Sequence, residues 1–317
     1  MEHAERIESA DFLPGDAQPA ALTFENEPLG AVTPQAASGS CPSCAGRSRI
    51  APPGRNFFYG IGQVVPYLNT RSAESEFRQA AARLGSSTAQ LNDREVFKRV
   101  MDDPKNRYLP AELFCWVMTV QRVETVILVP RRDWVIQDLI DTYSVDQDPR
   151  DIHVAIGTVS NQPVPPQCNQ LQLPVVAVDQ VYHSGRKDFL ESIPVPSGAD
   201  PDRFRDAAGQ VFDQVLSQSD NAGFKDEDRV KNWALIKFGA LYAAAAKAFA
   251  DNCSFHSLEV LPSALGLGTR SIYDVVAGFR SRESGVLQKQ YATVDASEVR
   301  PVLVSGFRPW VETRSWT

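Results

Sequence analysis

Cys41-Pro-Ser-Cys44 is the spacing in this 317-residue chain with the most direct chemical meaning. Two thiolates separated by two residues can grip one side of a zinc ion, so the motif is half of a four-ligand structural site. The other half must come from Cys115, Cys168 and Cys253, or from histidine. Cys168 is the best third ligand, because the Pro163-Val-Pro-Pro166 stretch before it marks an accessible loop. Cys115 sits in an apolar run that reads as a helix, where a thiol packs like a small hydrophobe. Cys253-Ser-Phe-His256 also has ligand spacing and is the rival pair. A four-thiolate site is closed, so it would hold structure and not catalyse.

Other constellations are weaker. The four histidines, His3, His153, His183 and His256, stand in no G-x-S-x-G or comparable frame, so no nucleophile and base can be paired. Gly60-Ile-Gly62 follows a predicted strand but lacks the third glycine and the later acidic residue of a dinucleotide loop. Asp220, Asn221, Asp226, Glu227 and Asp228 miss the spacing of a calcium loop and read as a capping turn. What remains is Asp179-Gln180-x-Tyr182 at a predicted strand end, with Cys168-Asn169 upstream. Polar groups there line pockets, although tying down a loop is their commoner job. No catalytic residue is assigned.

The scaffold for these groups starts at Asn56. Strands are predicted at 57–65, 124–129, 152–160 and 173–181, and helices at 72–84, 92–101, 108–120 and 134–143. A helix over 201–217 puts Phe204, Ala208, Val211, Phe212, Val215 and Leu216 on one face. One long helix then runs to Ala250, followed by strands at 255–261, 271–279, 288–294 and 302–307, spaced for antiparallel pairing. The expected fold is α/β of the α+β kind: a mixed, largely antiparallel sheet flanked by helices. An echo between residues 96–130 and 211–262 suggests two similar halves, 56–195 and 196–317. Residues 1–55 differ. They hold seven of the 22 prolines, no lysine and no apolar period, and read as a flexible tail.

Composition narrows the class. Hydrophobic residues make up 43% and charged residues 22%, as in ordinary globular chains. A net charge of −7 without a basic run argues against a nucleic-acid surface. Glu2, Glu5 and Glu8 leave no apolar stretch for a signal peptide. The most apolar segment, 233–250, carries Lys237 and Lys247, which a bilayer centre would penalise. The chain therefore reads as cytoplasmic, where thiols bind metal or sit in cores more often than they pair.

Short motifs spread in order along the chain give it a resemblance. They are Cys41-Pro-Ser-Cys44-Ala-Gly, the run from Phe57 to Pro66, Glu76-Phe77-x-Gln79, Asn106-Arg107-Tyr108-Leu109, Cys115-Trp116, Glu124-Thr125 and Pro130-Arg131. Pro166-x-Cys168-Asn169-x-Leu171, Asp179-Gln180-x-Tyr182, Asp220-Asn221-x-Gly223, Arg229, Asn232, Pro262-Ser263, Arg270 and Asp274-Val275 follow. Together they resemble the C-terminal domain of unknown function of the cyanobactin (patellamide-type) maturation proteases, which also occurs as stand-alone proteins. Val65-Pro66-Tyr67-Leu68 departs from that pattern, which has a basic, Phe-containing stretch there, and Leu267 lies in an altered turn. The resemblance implies an α/β domain tied to ribosomal-peptide maturation. It places Cys41, Cys44, Cys115 and Cys168 on family positions, which favours a zinc held by those four over the Cys253 and His256 pair. It carries no protease activity across.

The leading expectation is thus an accessory protein that binds or scaffolds a precursor peptide or a modifying enzyme. Asn169, Asp179, Gln180, Tyr182, Arg229 and Asn232 are its candidate pocket residues. The alternative is a peptide-tailoring enzyme using the same polar groups, and a third reading is a homodimer held by the 233–250 helix.

Overall fold

The computed structural model describes residues 56–85, 91–144, 148, 150–168, 171–218, 222–266 and 270–310. The expected tail, 1–55, lies outside them. Five strands, β1 (Phe57–Tyr67), β2 (Cys115–Val120), β3 (Val123–Pro130), β4 (Ile152–Ser160) and β5 (Val175–Ser184), close a barrel in the order β1-β2-β3-β5-β4. Only β3 and β5 pair in parallel; the other four contacts are antiparallel. Helices α1 (Arg71–Arg83), α2 (Asp93–Asp102) and α3 (Leu109–Glu112) join β1 to β2, and α4 (Asp133–Ser144) joins β3 to β4. The chain continues through α5 (Arg186–Ser192), α6 (Pro201–Gln218), α7 (Asp226–Lys237) and α8 (Gly239–Ala250). It ends in an antiparallel sheet of β6 (Cys253–Pro262), β7 (Ile272–Ser281), β8 (Leu287–Asp295) and β9 (Val302–Pro309). This is the α+β fold the patterning predicts. The halves 56–195 and 196–317 carry different sheets, one closed and one open.

Local chemistry fixes the helix starts. Asn92 accepts from the Glu95 amide at 2.9 Å while Glu95 accepts from the Asn92 amide at 2.8 Å, a reciprocal cap for α2. Thr70, rather than Ser72, caps α1 through the Ala73 amide.

Two elements depart from the sequence reading. The helix predicted over 108–120 is mostly strand β2. Its residues are buried on both faces, so the apolar run shows no alternation and its spacing fits a helix as well. A two-residue hairpin joins β2 to β3, with Gln121 and Arg122 at φ +50° and +68°. Both are left-handed as a type I′ turn requires, but neither is the Asn or Gly that announces one. The single long helix of the second half is broken between α7 and α8, which meet at 71°. Phe238 leaves helical geometry (φ −99°, ψ 75°), and the Tyr242 hydroxyl donates to the Leu235 carbonyl at 2.6 Å, satisfying a group the break exposes. Among the described residues no single helix is long and apolar enough to cross a membrane.

Three apolar clusters hold the fold. The barrel interior, with Phe58, Val64, Met118, Leu128 and Val178, is continuous with the inner faces of α2 and α4. The opposite faces of β1 and β4, with Tyr59, Ile61, Val154 and Ile156, pack on α6, α7, α8 and the second sheet. Leu241, Tyr242 and Ala245 of α8 join this core, so the helix proposed as a dimer contact spends those residues within its own chain. A third cluster packs Cys115, Val117, Ile127 and Val175 with Cys168, Leu171 and Leu173. Gly223 shows how tightly the layers meet. Its φ is +72°, the Tyr59 amide donates to its carbonyl at 3.1 Å, and an added Cβ would stand 2.0 Å from the Tyr59 carbonyl oxygen.

Candidate functional site

Strand β5 carries most of the predicted pocket. Its register against β4 slips between Ile156 and Gly157, which pair with Gln180 and Val178, so Asp179 is an extra residue on β5. Such a bulge re-aims the side chains beside it. Asp179 turns to Arg131 at 3.4 Å, with both groups partly exposed. Gln180 accepts from the Arg300 guanidinium at 3.0 Å. Tyr182 packs its ring on the central core, with the Lys237 ammonium 5.2 Å from its centroid. Beside it lies Tyr59 of β1. The two hydroxyls are buried and close enough to interact, yet neither meets a partner within hydrogen-bond geometry. Burial above all, then the neighbouring Tyr182, raises the Tyr59 pKa well beyond the ordinary phenol range, so it stays protonated. A buried hydroxyl without a partner costs about 1–3 kcal/mol, so a pair of them marks a place suited to a polar atom from outside the chain.

Arg229 and Asn232, the other predicted pocket residues, are buried in α7 and tie layers together. Arg229 donates to Asp226 at 2.5 Å, to the Ala296 and Val299 carbonyls at 3.2 Å, and to the Glu298 carbonyl. Its guanidinium also lies over the Phe57 ring. Burial pushes its pKa down, and Asp226 pushes it back up. Asn232 donates to the Tyr59 carbonyl at 2.8 Å, joining α7 to the barrel. Both therefore position the wall that carries Tyr59. Asn169 lies outside the described residues.

The cysteines need a correction. Cys115 opens strand β2 instead of sitting in a helix, and it is joined to Cys168 by a disulfide (S–S 2.06 Å). Sulfurs bonded to each other carry no thiolate charge, so this pair does not fit a zinc site while oxidised. Reduction would leave two thiols at one point. Cys41 and Cys44 lie outside the described residues. Among the described residues no group of three His, Cys, Asp or Glu is arranged to hold a metal. Cys253 is buried, whereas His256 is exposed against Arg280, so the rival pair points apart. The disulfide closes a loop across 53 positions, and its loss is expected to cost about 2–4 kcal/mol. Cys115→Ala should then melt earlier than the wild type without reductant, and the gap should close when a dithiol is added.

The sequence reading, which took each histidine alone, missed one cluster. His153 and His183 are directly paired between β4 and β5, with ring centroids 5.6 Å apart and Asp151 3.8 Å from His183. The Val64 amide donates to His153 Nδ1 at 2.8 Å. Only strand register, which a sequence does not display, brings these groups together.

The fold and site define an α+β protein whose barrel and antiparallel sheet share one core, with the Tyr59 and Tyr182 hydroxyls buried side by side within it. Residues 198–310, from the start of α6 to the end of β9, match the family model described as PatG C-terminal. The solved structure described as the PatG domain of unknown function matches with a TM-score of 0.65 at 17% identity, over 81% of this chain and 99% of that chain. That likeness shows a shared fold, and with the family match it bears out the resemblance read from the motifs. No curated protein matches the chain.

Proposed function

We propose that the protein is an accessory of cyanobactin-type peptide maturation that binds a precursor peptide in the niche around Tyr59, Gln180, Tyr182, Lys237 and Arg300. It would act in the cytoplasm beside the modifying enzymes. The pair of unsatisfied tyrosine hydroxyls carries this reading, because a peptide carbonyl or amide supplies the partner they lack. Lys237 and Arg300 at the same place would favour an acidic stretch of peptide.

Tyr182→Phe tests it, since the deleted hydroxyl lies beside that of Tyr59 without meeting it in hydrogen-bond geometry. The variant should be as stable as the wild type or slightly more so. By native mass spectrometry it should bind the precursor peptide roughly tenfold more weakly. Full affinity in Tyr182→Phe and Lys237→Ala would remove the niche from the binding site. A shifted peptide mass instead of a complex would favour the second reading, a tailoring enzyme with a tyrosine as proton donor, which the same hydroxyls support.

We also propose that the reduced chain holds a structural zinc on Cys41, Cys44, Cys115 and Cys168. One zinc per chain should be retained after reduction and dialysis, none by the oxidised chain, and none by Cys41→Ser. Zinc retention by Cys41→Ser would overturn the four-cysteine assignment.

A further inference from the structure

Strand β9 closes the second sheet on one side only. It pairs with β8 and, among the described residues, with no strand beyond. Its first three residues, Val302, Leu303 and Val304, are 58%, 41% and 51% exposed. Successive strand residues point to opposite faces, so neither face is covered at this end. Among the described residues no other strand or helix shows three large apolar side chains in a row to solvent. Edges left open in native proteins are commonly guarded by charge or proline, and residues 302–307 carry neither. The far end of β9 is fixed: Phe307 packs on Phe238 with ring centroids 5.0 Å apart, and the Trp310 amide donates to the Lys289 carbonyl at 2.9 Å. Its register against β8 slips on both sides of Ser305, and such bulges deter pairing with long flat strands. A short segment is what the edge admits. Two contacts make the edge continuous with the niche around Tyr182. Arg300, two residues before Val302, donates to Gln180, and Phe238, which holds Phe307, follows Lys237 in the chain.

We propose that the free edge of β9 takes a short extended peptide as a fifth strand, with apolar side chains against Val302, Leu303 and Val304 and an acidic flank at Arg300 and Lys237. The inference rests on the peptide-binding reading and gives that peptide its chemistry. An added strand pairs with the amides and carbonyls that β9 leaves to solvent, and its alternate side chains supply selectivity. All pairs in this sheet are antiparallel, so the added strand runs antiparallel to β9. Its C-terminal end then lies at the start of β9, beside Arg300. The segment selected is therefore β-branched or leucine-rich first and acidic after. Charge points the same way: residues 299–310 hold two arginines and no acid, and Lys237 adds a third cation. A second copy of the chain would bring two more arginines to that edge and no acid, which disfavours it as the occupant.

The test uses the full chain and a labelled synthetic probe, five alternating valines and threonines followed by three glutamates, read by fluorescence anisotropy. It should bind roughly tenfold more tightly than the same residues in reverse order. Methylating the amide of every second residue should cost roughly tenfold in one phase and little in the other, because an added strand turns one set of amides to β9. Equal binding by the two methylated probes, or no binding by the parent, overturns the inference. Val302→Pro and Leu303→Pro then place the strand. Adjacent amides point to opposite sides, so one faces β8 and the other the free edge. The variant that melts with the wild type has lost the free amide, and it should bind roughly tenfold more weakly; full binding by it overturns the inference. Should both variants melt early, hydrogen exchange in the wild type decides: the probe should slow one of the Val302 and Leu303 amides at least several-fold, and no slowing at either overturns it. A dimer by light scattering that Val304→Lys dissociates would give the edge to a second copy and overturn it as well. A probe without the glutamates should bind the wild type and Tyr182→Phe alike, so the edge and the niche can fail separately.

Discussion

Truncating Arg229 to alanine is expected to remove about 3–5 kcal/mol of stability, among the largest single losses available in this chain. The guanidinium is fully buried and holds four acceptors on two separate pieces of chain. Asp226 belongs to the first turn of α7, and the carbonyls of Ala296, Glu298 and Val299 follow the end of β8. Alanine leaves a carboxylate and three carbonyls facing a cavity, so unpaired polar groups add to the lost packing. Arg229→Met restores much of the volume but none of the donors, so it should recover only a minor part. For a domain of this size each kcal/mol moves the melting midpoint by roughly 2–4 °C, so the alanine variant should melt on the order of 10 °C lower. Arg131→Ala is the contrast. Its pair with Asp179 is partly exposed on both sides, and such pairs contribute about 0–1 kcal/mol. Comparable losses in the two variants would show that burial is not what makes Arg229 matter.

Elements marked by local chemistry were legible in the sequence. Helix α2 announces itself by Asn92 and Glu95, and α6 by Pro201 and a clean apolar stripe. Strand β4 matches its predicted span, 152–160, because its Val- and Ile-containing run stops at polar residues. Elements decided by distant partners were not legible. Strand β2 is hidden by burial on both faces, and the break between α7 and α8 falls in an apolar run where only packing on the core chooses the bend. The seven-residue α5 is too short for a period to show.

The site divides in the same way. Asp179, Gln180 and Tyr182 are visible as polar residues at a strand end, and the structure sets Gln180 against Arg300 and Tyr182 against Lys237. Tyr59 is missed because a tyrosine in an aromatic strand reads as core, which most of it is. Arg229 and Asn232 are special residues for an architectural reason: buried donors that fasten α7 to the β8–β9 connection and to β1. A polar residue in a helix cannot disclose whether its partner is a ligand or a carbonyl 67 to 173 positions away.

Acid should expose the other strongly constrained group, His153. Burial, then the adjacent His183 and Arg94, pushes its pKa down from 6.5 to about 3. Its Nδ1 is committed to accepting from the Val64 amide, so a proton on that nitrogen would break a buried hydrogen bond. An unfolded chain takes up this proton as pH falls through about 6.5, whereas the folded chain waits until about 3. The stabilisation is therefore complete above pH 6.5 and is lost progressively as pH falls towards 3. Its slope is about 1.4 kcal/mol per pH unit, on the order of 5 kcal/mol over the whole window. Urea denaturation at a series of pH values measures that slope. His153→Asn can keep an acceptor for the Val64 amide and cannot titrate, so it should be less stable than the wild type near neutrality. Its stability should then fall with acid by about one proton's slope less, and the two curves should converge or cross between about pH 5 and 4. An unchanged slope in His153→Asn would assign the acid sensitivity to carboxylates such as Asp295, whose pKa is lowered by its bonds to Ser297 and Arg270 against the opposing effect of burial.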